Sequence, residues 1–143
     1  MMQAIDVYRS EFRPSEAHPA PYLMLGVNVF AAETEGEARR LMSSVQQAFV
    51  SMRTGRGGRL RPPVDDYEGT LGPVERAILE QTLSCSFAGT AEQAKKGLDG
   101  FVARTGADEL MVVSQVFDHA ARLRSYELVA PVPREGQLRP SRG

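Results

Sequence analysis

The sequence predicts an α/β fold built on a parallel sheet, and three observations carry that prediction. Short apolar runs alternate with helical patterns along the chain, an order that implies parallel strands joined by helical crossovers. The run 22–30 is apolar on nearly both faces, as a strand covered by helices must be and a half-wet antiparallel strand is not. Every helical pattern after the first opens on a threonine, a proline or an aspartate, residues suited to a helix start.

Composition sets the outer bounds. The chain has 143 residues, 42% hydrophobic and 24% charged, ordinary values for a globular domain. That length supports one domain burying about 68–70% of its unfolded surface. A net charge of −1 provides no global field to attract nucleic acid or an anionic membrane. No apolar run reaches the roughly 18 residues a spanning helix needs, so no membrane partner is expected. The N-terminus lacks the basic and apolar regions of a secretory signal. Cys85 is the single cysteine. It cannot form an internal disulfide, which suits a reducing cytoplasm.

The elements follow in order. Residues 1–12 read as a helix, with Ile5, Tyr8 and Phe12 at helical spacing. Pro14, Pro19 and Pro21 make 13–21 a loop. In the strand 22–30, Leu23, Leu25, Val27 and Val29 share one purely aliphatic face. Tyr22, Met24, Gly26, Asn28 and Phe30 share the other. Thr34 and Glu37 have capping-box spacing, and Ala38, Leu41, Met42, Val45, Phe49 and Met52 form the apolar stripe of the helix behind them. Residues 54–72 are irregular. The arginines 53, 56, 59 and 61 raise the question of a phosphate or nucleic-acid contact, against the simpler reading of a solvated loop neutralised by the acidic residues after it. A loop of this length is often a lid or insertion.

Pro73 opens a helix to about Leu83. Cys85, Ser86 and Phe87 form a short strand, and Thr90 with Gln93 is a second capping box. The helix behind it buries Ala94, Leu98, Phe101 and Val102, is weakened by Gly97 and Gly100, and stops at Gly106. Glu109 to Gln115 is the last strand and 117–129 the last helix, ended by Pro131 and Pro133. Three parallel strands leave two unpaired edges. A second copy of the chain, in a homo-oligomer, is the expected way to cover them.

Three blocks of this sequence resemble a known family. They are Tyr8-Arg9-Ser10-Glu11-Phe12-Arg13-Pro14-Ser15, then Pro21-Tyr22-Leu23-Met24-Leu25-Gly26-Val27-Asn28-Val29, then the segment 105–130. Together they resemble the bacterial luciferase-like monooxygenases, the single-component flavin oxidoreductases more than bioluminescent luciferase itself. The resemblance implies the C-terminal portion of a TIM (β/α)8 barrel. Residues 1–130 would be a partial barrel domain with an irregular insertion at 54–72, and 131–143 a disordered tail. A complete barrel of this type needs about 250 residues. The resemblance also implies FMN or a related deazaflavin as cofactor, reduced flavin with dioxygen as the chemistry, and a small organic substrate. It further implies that Ser86, Ser114 and Gln115 faced the isoalloxazine or the substrate. The family's N-terminal strands, which supply much of the flavin contact, are absent from this sequence, so the chain is expected to be a truncated form.

Chemistry in such a fold sits at the C-terminal ends of the strands, and three turns lie there. The first is Ala31-Ala32-Glu33-Thr34. The second contains Ser86, Gly89 and Thr90, where free amides at a helix start can receive a phosphate, although Gly-Thr before a helix is more commonly a plain cap. The third is Ser114-Gln115-Val116-Phe117-Asp118-His119. There Ser114 and Gln115 can bond a polar ring edge, Phe117 can pack on a flat ring, and His119 is the candidate for proton transfer, oriented by Asp118. Against this, Asp118 suits a helix cap and His119 a surface position. No spacing of metal ligands, nucleophile elbow or phosphate-binding loop is present. Two further readings stand beside the flavoenzyme: a non-catalytic half-barrel that binds or oligomerises, and a hydrolase using His119 with Cys85 or a serine.

Overall fold

A computed structural model of the protein describes residues 1–130; the tail expected at 131–143 lies outside the described residues. Five helices and three strands alternate: α1 (Met2–Glu11), β1 (Met24–Ala31), α2 (Glu35–Arg53), α3 (Pro73–Thr82), β2 (Ser86–Gly89), α4 (Ala91–Thr105), β3 (Glu109–Val113) and α5 (His119–Val129). Within the insertion, Tyr67–Thr70 makes one 3-10 turn.

All strand pairing is parallel, in the order β2-β1-β3. The first strand is thus the central one. Its C-terminal half, Asn28 to Ala31, pairs with β2. Its N-terminal half, Met24 to Asn28, pairs with β3. The register places Val27, Val29 and Ala31 on one face. There they form a core with Ala94 and Phe101 of α4, against which Leu128 and Val129 of α5 also pack. Phe30 points the other way into a second core with Ala38, Leu41 and Val45 of α2, Leu79 of α3 and Val116. This second face is covered only toward the strands' C-terminal ends. At the other end Met24 and Met111 remain 47% and 56% exposed, beside the exposed Gly26.

The helices begin where local chemistry allows. Thr34 accepts from the Glu37 amide at 3.2 Å, while the Glu37 carboxylate turns to Arg40 at 3.6 Å, so only half of the expected capping box forms. Thr90 and Gln93 form theirs in full. Gly106 ends α4 at φ 63°, a conformation glycine adopts without cost. Arg9 of α1 then donates to the carbonyls of Thr105 and Gly106 at 2.9 and 2.8 Å, placing a cation at the negative end of α4. Two members of the expected apolar stripes are not buried. Met52 is 59% exposed, because it lies in the last turn of α2 where the chain leaves for the insertion. Val102 of α4 is also exposed.

Gly97 and Gly100 turn out to be unlike. A Cβ on Gly97 would lie 2.5 Å from the Phe87 ring, whereas one on Gly100 meets nothing within 4 Å. Gly97 is the small residue that lets α4 close onto β2. Gly100→Ala is expected to stabilise the protein by up to about 1 kcal/mol through helix propensity. Gly97→Ala should lose that gain to the clash and destabilise instead. Urea unfolding midpoints that move in the same direction for both variants would contradict this packing.

Candidate functional site

The site is built where β3 ends. After Val113 the chain turns through Ser114, Gln115 and Val116 into α5. Asp118 caps that helix by accepting from the Ala121 amide at 2.8 Å. Asp118 therefore serves the backbone of α5 and does not orient His119. Along α5, residues 118, 122 and 126 recur at i, i+4 and i+8 and share one face. Arg122 and Tyr126 of that face line a hollow of about 500 Å3 together with Leu60, Val113, Ser114 and Gln115. Leu60 reaches it from the insertion, so the loop 54–72 helps wall the strand ends.

Beneath the hollow runs a buried chain of hydroxyls. Ser114, 2% exposed, and Ser125, 1% exposed, are joined at 3.0 Å with Ser114 donating. Ser125 accepts from the Ala31 amide at 2.9 Å and donates to the Val29 carbonyl at 3.4 Å. The Tyr126 hydroxyl accepts from the Ser114 amide at 2.9 Å. Ala31 lies past the last residue of β1 that pairs with β3, so this hydroxyl substitutes for a missing ladder partner. Ser114 is thus spent on holding α5 against the central strand. Gln115, next to it, is exposed and lines the hollow.

His119 is exposed at the start of α5, with Nδ1 2.7 Å from Nη2 of Arg122. A guanidinium has donors only, so Nδ1 is the acceptor and Nε2 is the nitrogen left for any other partner. Phe117 is exposed beside it. The hydrolase pairing with Cys85 does not form. The Cys85 thiol has Met1 Sδ at 3.4 Å and Ser84 Oγ at 4.0 Å as its polar neighbours, and Cys85 packs with the core on the α4 and α5 side of the sheet.

The second turn is placed apart, at the end of β2. Gly89 pairs with Ala31 and is buried; a Cβ there would lie 2.6 Å from the Gln93 side chain. The Thr90 hydroxyl is engaged in its cap. Gln93 also donates to Glu35 at 2.8 Å. With Arg39, that bond holds the exposed Glu35 carboxyl below its ordinary range. Ser86 accepts from Asn28 at 3.2 Å. Since Asn28 pairs with both Ser86 and Val113, these three form one row across the open face. In the first turn, Glu33 lies 2.6 Å from Arg124, a bond that raises the Arg124 guanidinium above its ordinary value, with Glu127 adding to it.

The structure therefore unites Ser114 and Gln115, sets His119 on the rim, and leaves Ser86, Gly89 and Thr90 on the far side of β1. Arg122, Tyr126 and Leu60 line the hollow and are residues that sequence reasoning missed. The four-residue spacing from Asp118 was the available signal for the first two, and a lone leucine in a polar loop for the third. A separate hollow of about 320 Å3 lies between α2 and α3. In it the buried Gln46 donates to Glu68 at 2.6 Å. Among the described residues no group of three or more histidine, cysteine or acidic side chains is arranged to hold a metal, and no helix is long and apolar enough to cross a membrane.

No protein-family model matches the chain. Relatives are nonetheless clear. The chain is 41% identical over 135 residues to a luciferase-like monooxygenase of Escherichia coli strain K12, a match covering 94% of this chain and 40% of that protein. It is 40% identical over 129 residues to the uncharacterized protein YvbT of Bacillus subtilis strain 168, covering 90% of this chain and 38% of the relative. The crystal structure of apo-MsnO8 superposes with a TM-score of 0.68 at 29% identity, over 90% of this chain and 39% of that one. The chain thus spans about 40% of the length of the relatives it matches.

Proposed function

We propose a function for this chain, which belongs to the luciferase-like monooxygenase family as a partial barrel domain: it forms one wall of a flavin-dependent oxidoreductase site. The observation that carries this is the hollow beyond β3, where Gln115 and Arg122 meet the apolar surfaces of Leu60 and Val113. A flavin ring system has flat apolar faces and one edge of carbonyl oxygens and ring nitrogens. Arg122 supplies only donors, and Gln115 supplies both a donor and an acceptor. The residues present fit that polar edge and one face of the ring. When bound, the flavin supplies the electron transfer and dioxygen chemistry that the family uses on organic substrates. The protein's own contribution is to hold the ring edge, exclude water with Leu60 and Val113, and keep a proton-bearing nitrogen at the rim. His119, with Nδ1 tied to Arg122, offers Nε2 there.

The remaining wall must come from elsewhere. The outer edges of β2 and β3 have no strand partner among the described residues, and Met24 of β1 and Met111 of β3 are exposed. We propose a second copy of the chain as the covering partner. These same edges and methionines favour the second reading, a non-catalytic half-barrel that oligomerises.

Titrating the purified chain with FMN and following flavin fluorescence tests the proposal, with sedimentation of the same samples reporting assembly. Saturable quenching is expected, and Arg122→Gln should weaken it about tenfold, the worth of one charge-assisted hydrogen bond. Quenching that never saturates, at chain concentrations where the sedimenting mass has doubled, would leave only the half-barrel reading. A mass that stays monomeric throughout would remove the second copy.

A further inference from the structure

The loop that carries Leu60 has a second feature, which the strand-end site does not use. Arg56, Arg59 and Arg61, with Ser51, Gly57 and Gly58, line a hollow of about 140 Å3. The loop is strapped to α2 on both sides of it. At one end the Arg56 amide donates to the Ser51 carbonyl at 2.8 Å and the Ser51 hydroxyl donates to the Arg56 carbonyl at 2.5 Å. At the other end Gln47 donates to the Pro62 carbonyl at 2.9 Å. Two of the acidic residues that follow these arginines in sequence are engaged elsewhere. Asp65 pairs with Arg40 at 3.2 Å, and Glu68 accepts from Gln46 at 2.6 Å. Among the described residues, Arg53, Arg56, Arg59 and Arg61 enter no salt bridge. At Gly57 and Gly58 a side chain would meet nothing within 4 Å, so the backbone there is open to a ligand.

We propose that this strapped arginine loop is a binding site for a small tetrahedral oxyanion of the phosphate class, separate from the strand-end hollow. Three arginines line one small hollow and enter no salt bridge, so a bound anion would supply the counter-charge they lack. Guanidinium is the side chain best matched to phosphate, because its forked donors meet two oxygens at once. Straps at both ends pre-organise the loop and lower the ordering cost of binding. Free inorganic phosphate and a phosphate monoester share this chemistry.

The test uses the full chain, titrated with inorganic phosphate and then with glycerol phosphate at constant ionic strength set by chloride, and followed by amide NMR. Saturable shifts confined to the amides of 51–61 are expected. Arg59→Gln with Arg61→Gln should weaken the response by at least about tenfold, while Arg122→Gln, which tests the strand-end site, should leave it unchanged. Saturation by phosphate alone identifies a free anion as the ligand, and saturation by both identifies a phosphorylated one. A response equal to that of chloride, one retained by the double variant, or one abolished by Arg122→Gln overturns the proposal.

Discussion

Replacing Phe30 with alanine is expected to destabilise the protein by about 3–5 kcal/mol, the usual cost of emptying a buried aromatic site. Phe30 is the largest side chain with no solvent exposure. It is also the point where the central strand meets Ala38, Leu41 and Val45 of α2. The cavity cannot collapse easily, because the same strand is anchored on its opposite face by Val29 packing with Phe101 of α4. Domains of this size hold about 5–15 kcal/mol in total, so the variant should unfold at a much lower urea midpoint or fail to accumulate folded. The exposed Met52 gives the control: Met52→Ala should change stability by no more than about 0.5 kcal/mol. A Phe30→Ala loss below about 1 kcal/mol would mean that α2 does not close this face.

Ser125→Ala should cost about 2–4 kcal/mol, although it removes a single oxygen. That oxygen accepts from both the Ala31 amide and the Ser114 hydroxyl, and both are left buried without a partner. Each orphaned group costs about 1–3 kcal/mol. Ser114→Ala should cost less, since Ser125 keeps Ala31 and Val29. The double variant should cost less than the sum of the two, the mark of a shared network. Chemical unfolding of the three variants measures the cycle. Strict additivity would show that the hydroxyls act separately. The consequence reaches the site, because α5 carries Arg122 and Tyr126, and this network is what fixes α5 to the central strand.

How much of this could be read in advance differs by scale. The capping box at Thr90, the stop at Gly106, the proline start of α3 and the cap at Asp118 rest on bonds within a few residues, and they formed as expected. The alternation in β1 correctly separated its aliphatic face from the face bearing Asn28 and Phe30. The bounds moved by a few residues. Leu23 and Gln115 fall outside their strands because a parallel strand continues only while its neighbour does, and the neighbour is not a local property.

The sequence by itself determined the class of fold, the order of helices and strands, the parallel sheet and the family resemblance. Each of these follows from periodicities and caps confined to short stretches of chain. Tertiary structure alone decided that the first strand takes the centre of the sheet, that Gly97 makes way for Phe87 while Gly100 makes way for nothing, and that Ser114 serves Ser125 in the interior while Gln115 and Arg122 share a hollow with Leu60. Such facts depend on which groups meet across tens of residues. The free energy deciding them, burial of apolar surface and the cost of leaving buried polar atoms unpaired, exists only once the chain has closed on itself.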